Sequence, residues 1–170
     1  MADSLMSTGN INMNTNTIYL FLSFFRYGST VYSPLLNGIL TGKYNNGFPK
    51  DSRLQTYIDF PFLGAFVKLY IETYFGEANK EKYITMLTGL GEIAKELGCS
   101  QAQLAMAWVL KNKDVSTAIT SASKPEQLEE IVGSLKFVSK ITAEVEEKMN
   151  KLTGTRPAAD TDFRTFSPGT

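Results

Sequence analysis

Apolar residues recur every three or four positions from Glu81 onward. Tyr83, Leu87, Leu90, Ala94 and Leu97 fall on one stripe, and Gly98 stands where a helix would end. Ser100 followed by Gln103 is a capping-box pattern; it opens a second helix that runs to about Asn112 and turns Leu104 and Trp108 inward. Ser123-Lys124-Pro125-Glu126 repeats the pattern with proline in the first turn, making Leu128, Ile131, Val132 and Leu135 the inward positions. Thr142 starts a last helix with Val145, Met149 and Leu152 on one face. Upstream, Phe62, Phe66, Tyr70 and Tyr74 stand four apart, which predicts a helix within 57–75.

Two short segments break from this period. Gly28–Tyr32 and Val115–Thr120 are rich in β-branched or aromatic residues and predict strands. Ser33-Pro34 ends the first, because proline cannot donate to a ladder. Residues 36–53 carry Gly38, Gly42, Gly47 and Pro49 among polar residues, and predict a loop with its own turns. Strand, loop, helices, strand, helix, helix is a βαβα order and implies a parallel sheet.

The first 17 residues have no hydrophobic period, and their Asn, Thr, Ser and Met cannot bury enough surface to order themselves. The apolar run 18–25 that follows is far short of the roughly 20 residues of a membrane span. It lacks the basic leader and cleavage site of a signal peptide, so a buried strand or an interface segment is expected, without membrane insertion.

Composition narrows the chemistry. A chain of 170 residues holds one domain with a real core. Its 17 basic and 17 acidic residues cancel, which leaves no field for broad nucleic-acid binding. The chain has no histidine, so imidazole bases, His-based triads and the usual His-rich metal sites are excluded. A single cysteine, Cys99, excludes an intramolecular disulfide and a multi-cysteine zinc site, and fits the reducing cytoplasm.

Tyr32-Ser-Pro-Leu-Leu-Asn-Gly-Ile-Leu-Thr-Gly-Lys-Tyr44, followed by Ser52-Arg53, resembles the segment after the seventh barrel strand of aldo-keto reductases. It is most like the branch that contains the voltage-gated potassium channel β subunits. The resemblance continues through Leu97–Leu110 and through Ala122-Ser-Lys-Pro-Glu-Gln-Leu-Glu-Glu130. It implies an α/β fold, a partial (β/α)8 TIM barrel comprising roughly the last two βα units plus the C-terminal helix. On that basis residues 1–25 are a non-family segment, 26–153 the C-terminal portion of the barrel, and 154–170 a tail.

The resemblance also implies a site for NADP(H). Tyr32 takes the place of the ring that stacks on the nicotinamide, and Ser33, Pro34 and Leu35 follow along the pyrophosphate. Gly38 lies in a loop that lets backbone come close. Lys43 and Arg53 would neutralise phosphate, including the 2′-phosphate, which arginine can grip bidentately. Ser123, Gln127 and Glu130 would hold the adenosine end, at a helix start that favours an anion. Two departures bear on affinity. The family usually has Gly at Ser121 and Asn at Ile131; one adds a side chain and the other deletes an amide, so the hold on NADP(H) is doubtful at its adenosine end.

The family's catalytic Tyr, with its Lys and Asp partners, comes from the first few strands, and a complete barrel takes about 250 residues. Here 31 residues precede Tyr32, and the first 25 do not resemble the family. The expectation is therefore a truncated NADP(H)-dependent oxidoreductase with no catalytic residues, inactive alone. Its strands would need cover from the 18–25 segment, a second copy forming a homo-oligomer, or another protein. The alternative is a non-catalytic regulatory or structural subunit, potassium channel β-subunit-like or part of a larger assembly.

Overall fold

A computed structural model describes residues 28–154. The 18–25 run and the tail beyond residue 154 lie outside the described residues. Strand β1 (Ser29–Tyr32) lies parallel to β2 (Val115–Ile119). The register pairs Ser29 with Val115, Thr30 with Thr117, Val31 with Ala118 and Tyr32 with Ile119, with an irregularity after Ser29. Ser29 fixes that start, because its backbone N–H and its hydroxyl both donate to the Asp114 carbonyl, at 2.6 and 2.9 Å.

Between the strands run α1 (Arg53–Tyr57), α2 (Leu63–Phe75), α3 (Lys80–Leu97) and α4 (Gln101–Lys111). After β2 come α5 (Pro125–Gly133), a 3₁₀ segment (Ser134–Lys140) and α6 (Ala143–Thr153). The βαβα order and the parallel pairing are as expected.

The amphipathic helices form where their period placed them. Gly98 ends α3 in a left-handed conformation, its N–H reaching the Ala94 and Lys95 carbonyls. The Ser100–Gln103 capping box is complete in both directions, at 3.1 Å each way. Thr142 caps α6 by accepting from the Val145 N–H. Helices α3, α4 and α6 then bury Leu87, Leu90, Leu104 and Met149 together, and Lys111 of α4 pairs with Glu146 of α6.

Three expectations are corrected. Residues 36–53 are not simply a loop: Leu36–Thr41 holds two short 3₁₀ turns joined by a kink at Asn37 and Gly38, and Leu36, Ile39, Leu40 and Tyr44 lie at the centre of the core. Ile39 is fully enclosed, and Tyr44 sits among Phe48 and Phe75 with ring centroids 5.5 and 6.3 Å away. Apolar positions inside a glycine-rich stretch are therefore packing residues. The helix expected within 57–75 forms as α2; Phe66 faces solvent, as does Phe62 just before it, while Val67, Tyr70, Ile71, Tyr74 and Phe75 pack inward. Positions four apart drift by about 40° per step round a helix, so a four-residue spacing does not stay on one face.

The second capping box does not form: Lys124 is the N-cap of α5, and no side chain caps the helix. Pro125 does occupy its first turn. Of the four inward positions expected in and after α5, only Ile131 is buried; Leu128, Val132 and Leu135 are exposed. Nothing among the described residues covers that face. Tyr32 and Ile119 at the strand ends are likewise about half exposed, at 49% and 54%. Among the described residues no helix is long and apolar enough to cross a membrane.

Candidate functional site

The ends of β1 and β2 lie side by side, because Tyr32 pairs with Ile119. Both chain segments that leave the sheet therefore start from the same edge of the molecule, which is where ligands bind in open parallel α/β folds. The first segment is Ser33–Arg53 and the second is Thr120–Gln127.

The first is held in an unusual backbone. Ser33, Leu36 and Asn37 have positive φ (50°, 49° and 53°), and Gly38 follows at 89°. Non-glycine residues in this region carry strain that the surrounding structure must hold, and such strain clusters at functional sites. Here the restraint is visible. The Ser33 carbonyl accepts from the Leu36 N–H at 2.8 Å and its hydroxyl accepts from the Asn37 N–H at 3.3 Å. Pro34 is buried, while Ser33 and Leu35 are partly exposed.

Lys43 folds back along this turn. A side chain added at Gly38 would meet the Lys43 Nζ at 2.8 Å, and that ammonium lies 4.9 Å from the Tyr44 ring centroid. The absence of a Cβ at Gly38 thus makes room for a lysine stem, in addition to permitting the left-handed backbone.

Arg53 makes the link between the segments. It starts α1, capped by Ser52, whose hydroxyl accepts from the Gln55 N–H at 3.4 Å. Its guanidinium extends across to the second segment, where Nη2 donates to Ser121 Oγ at 3.2 Å, 68 residues away in sequence. Both side chains are exposed, so the remaining N–H donors of the fork face solvent.

In the second segment Ser123 turns to Gln127. Its N–H and its hydroxyl both donate to Gln127 Oε1, at 3.0 and 3.1 Å. This is why Ser123 does not cap α5, whose first turn has no side-chain cap. Pro125 there has no N–H, and the Gln127 N–H donates to the Lys124 carbonyl at 3.2 Å, so the helix dipole is the main feature of that end that favours an anion. Glu130 lies farther along α5, its backbone carbonyl accepting from Gln103 Nε2 at 3.2 Å. Ile131 is packed in the interior.

The structure therefore joins Arg53 to the Ser121 loop and Ser123 to Gln127, and places Tyr32–Leu35 at the adjoining strand end. Lys43 is instead engaged with Tyr44. Sequence reasoning named Ser121 only as a departure and missed it as the partner of Arg53; no local signal joins residues so far apart. A guanidinium and a serine hydroxyl beside a helix start are a donor set that fits phosphate. Gln127, whose amide oxygen is already taken by Ser123, keeps its amide N–H₂ to donate. Among the described residues no three His, Cys, Asp or Glu side chains gather as a metal site.

Comparison with known proteins covers the same stretch. Residues 27–153 match the profile of the Aldo/keto reductase family. A protein of Schizosaccharomyces pombe, described as a voltage-gated potassium channel subunit beta, is 40% identical over 131 residues, covering 77% of this chain and 35% of its own length. A rice protein described in the same way is 36% identical over 141 residues, covering 81% of this chain and 38% of its own. The solved structure of a glycerol dehydrogenase from Gluconobacter oxydans superimposes with TM-score 0.55 at 25% identity, covering 85% of this chain and 40% of that one. The chain thus spans between 35% and 38% of the length of these curated relatives.

Proposed function

This chain belongs to the aldo/keto reductase family, and we propose that it carries the family's NADP(H)-holding end without the residues that perform carbonyl reduction. The observation behind this reading is the Arg53–Ser121 hydrogen bond, which brings a guanidinium to the start of the second segment. Arg53 would take a phosphate near the start of α5, and Ser123, Gln127 and Glu130 would flank the adenosine. Tyr32, half exposed at the end of β1, would take the nicotinamide. When bound, NADPH supplies a hydride to a carbonyl carbon. The family's proton-donating Tyr and its partners precede the stretch that matches here, so the fold we propose is the last two βα units and C-terminal helix of a barrel, inactive by itself.

Titration of the chain with NADPH, followed by nicotinamide fluorescence, tests the proposal. Saturable binding is expected, weakened about tenfold or more by Arg53→Gln through loss of a charge-assisted contact. No aldehyde-dependent oxidation of NADPH is expected. Absence of binding would remove the cofactor reading, and turnover would remove the inactivity.

A second reading has its own support. Tyr32 and Ile119 at the strand ends, and Leu128, Val132 and Leu135 in and just after α5, leave large apolar side chains exposed, and the yeast and plant relatives are described as channel β subunits. In this reading the chain is a non-catalytic subunit whose exposed apolar residues are covered by a partner or a second copy. Sedimentation equilibrium decides it: a monomer with normal NADPH binding counts against an obligate homo-oligomer.

A further inference from the structure

Helix α2 is apolar on both faces. Val67, Tyr70, Ile71, Tyr74 and Phe75 pack onto the core, while Phe66 and Leu69 stand exposed, with Phe62 just before them. Spacings of four and three put Phe62, Phe66, Leu69 and Thr73 on one stripe, the pattern of a seam between two helices. A surface helix keeps its outer face polar, whereas a helix apolar all round is one that is covered on both sides.

The start of the stripe is tightly built. Phe62 has φ 68° and ψ −49°, and the Leu63 N–H donates to the Pro61 carbonyl at 2.8 Å, closing a three-residue turn that strains a bulky residue. The Gly64 N–H donates to the Phe60 carbonyl at 2.8 Å, and the missing Cβ of Gly64 leaves room for the Ile58 carbonyl. What this strained turn presents is a phenylalanine 83% exposed, its ring edge-on to Phe66 with centroids 5.7 Å apart. Packing of the core does not account for strain at a residue that lies outside the core.

Size and charge point to the occupant. At about 200 Å² for a whole aromatic side chain, Tyr57, Phe60, Phe62, Leu63, Phe66 and Leu69 together expose roughly 600 Å². That is the upper end for a monomer, and two such faces in contact bury about 1,200 Å², which reaches the size of a specific interface. The stripe carries no charge, so a copy of the same face meets no like charge on it. Asp59, Lys68 and Glu72 beside it are of both signs, which leaves no basic cluster to hold an anionic lipid surface. The 17 basic and 17 acidic residues of the chain cancel, so two copies approach without net repulsion.

We propose that α2 is the contact of a two-fold dimer, in which a second copy of this chain lies on the Phe62–Phe66–Leu69 stripe. A two-fold axis across the helix makes the pair antiparallel, so Phe66 of each copy packs against Leu69 of the other, and Phe62 against Thr73. The residues involved are not those of the strand ends or α5, and the contact does not depend on NADP(H).

Sedimentation equilibrium of the full chain over a range of concentrations tests the proposal. The wild-type chain should fit a reversible monomer–dimer equilibrium. Phe66→Ser should raise its Kd about a hundredfold or more, since a two-fold interface loses the aromatic anchor twice. Phe62→Gly, which relieves the backbone strain, should also weaken the dimer while circular dichroism shows the fold intact. Leu128→Ser combined with Val132→Ser should leave the dimer as tight as before. A chain that stays monomeric overturns the proposal; if that monomer floats with phosphatidylcholine vesicles, the stripe belongs to lipid. A dimer that Phe66→Ser and Phe62→Gly leave unchanged overturns it as well. If the α5 pair dissolves that dimer instead, the second copy sits on α5, and the subunit reading above stands while this one falls.

Discussion

Two regions of this molecule differ in how they use apolar residues. In the core, α3, α4, α6 and the 36–44 segment enclose one another, and Ile39, Leu87 and Ala107 have no exposed surface. Along α5 and the 3₁₀ segment that follows it, residues of equal hydrophobicity stand in the open: Leu128 is 52% exposed, Val132 58% and Leu135 62%. The candidate site includes the start of this same helix. The enclosed cluster can be stable from its own contacts, whereas α5 offers surface and donor groups. What the contrast teaches is that stability and recognition are separable here by substitution.

The sharpest test of that separation is a matched pair of truncations. Leu87→Ala should cost about 2–5 kcal/mol in urea unfolding, the range for a buried leucine. Leu135→Ala should stay within about 0.5 kcal/mol, as exposed positions do. A comparable loss at Leu135 would mean that this face is covered in solution, and would break the comparison. The caps give the next largest difference. Ser100→Ala removes a complete capping box and should cost about 1 kcal/mol. Ser123→Ala, whose hydroxyl serves Gln127 and not a helix N–H, should cost only a few tenths by the same measurement.

The smallest effect concerns Cys99, just beyond α3. Burial raises its thiol pKa above the ordinary value, a shift partly offset by the positive charge of Lys140. A raised folded-state pKa means that the folded chain holds the proton more firmly. Its contribution is present in full below the unfolded pKa of about 8.5 and is lost as pH climbs through the folded value. Alkylation by iodoacetamide should therefore be slower at pH 8 in the native chain than in the chain unfolded in urea. Equal rates would show that Cys99 is as open as the exposed residues of α5.

Where the sequence was readable, the physics was local. The stripes of α3 and α6 follow from period and face, and the Ser100–Gln103 box needs only three residues. The parallel pairing of β1 with β2 follows from a helical connection between them. What stayed hidden depended on neighbours. Ser123 matched the cap pattern, yet the side chain four residues on claimed its hydroxyl. Leu128, Val132 and Leu135 have the correct spacing for a packed face, but a period cannot say whether anything lies opposite. Segment 36–44 was hidden by its glycines, which marked turns and masked the buried Leu36, Ile39 and Leu40 between them. At the site, Tyr32, Ser123 and Gln127 were named from the motif, whereas the Arg53–Ser121 contact required the fold.

The position of segment 36–44 has a thermodynamic consequence. It runs directly from Ser33 and Leu35 into Ile39, Leu40 and Tyr44, so the same short stretch is the wall of the candidate site and the middle of the core. Such a stretch cannot open locally without exposing buried surface, and its fluctuations belong to global unfolding. A ligand that grips it is then linked to the whole folding equilibrium. At a hundred times its Kd, any such ligand would add about 2.7 kcal/mol to the folded state. The melting temperature of this chain is thus a direct gauge of occupancy.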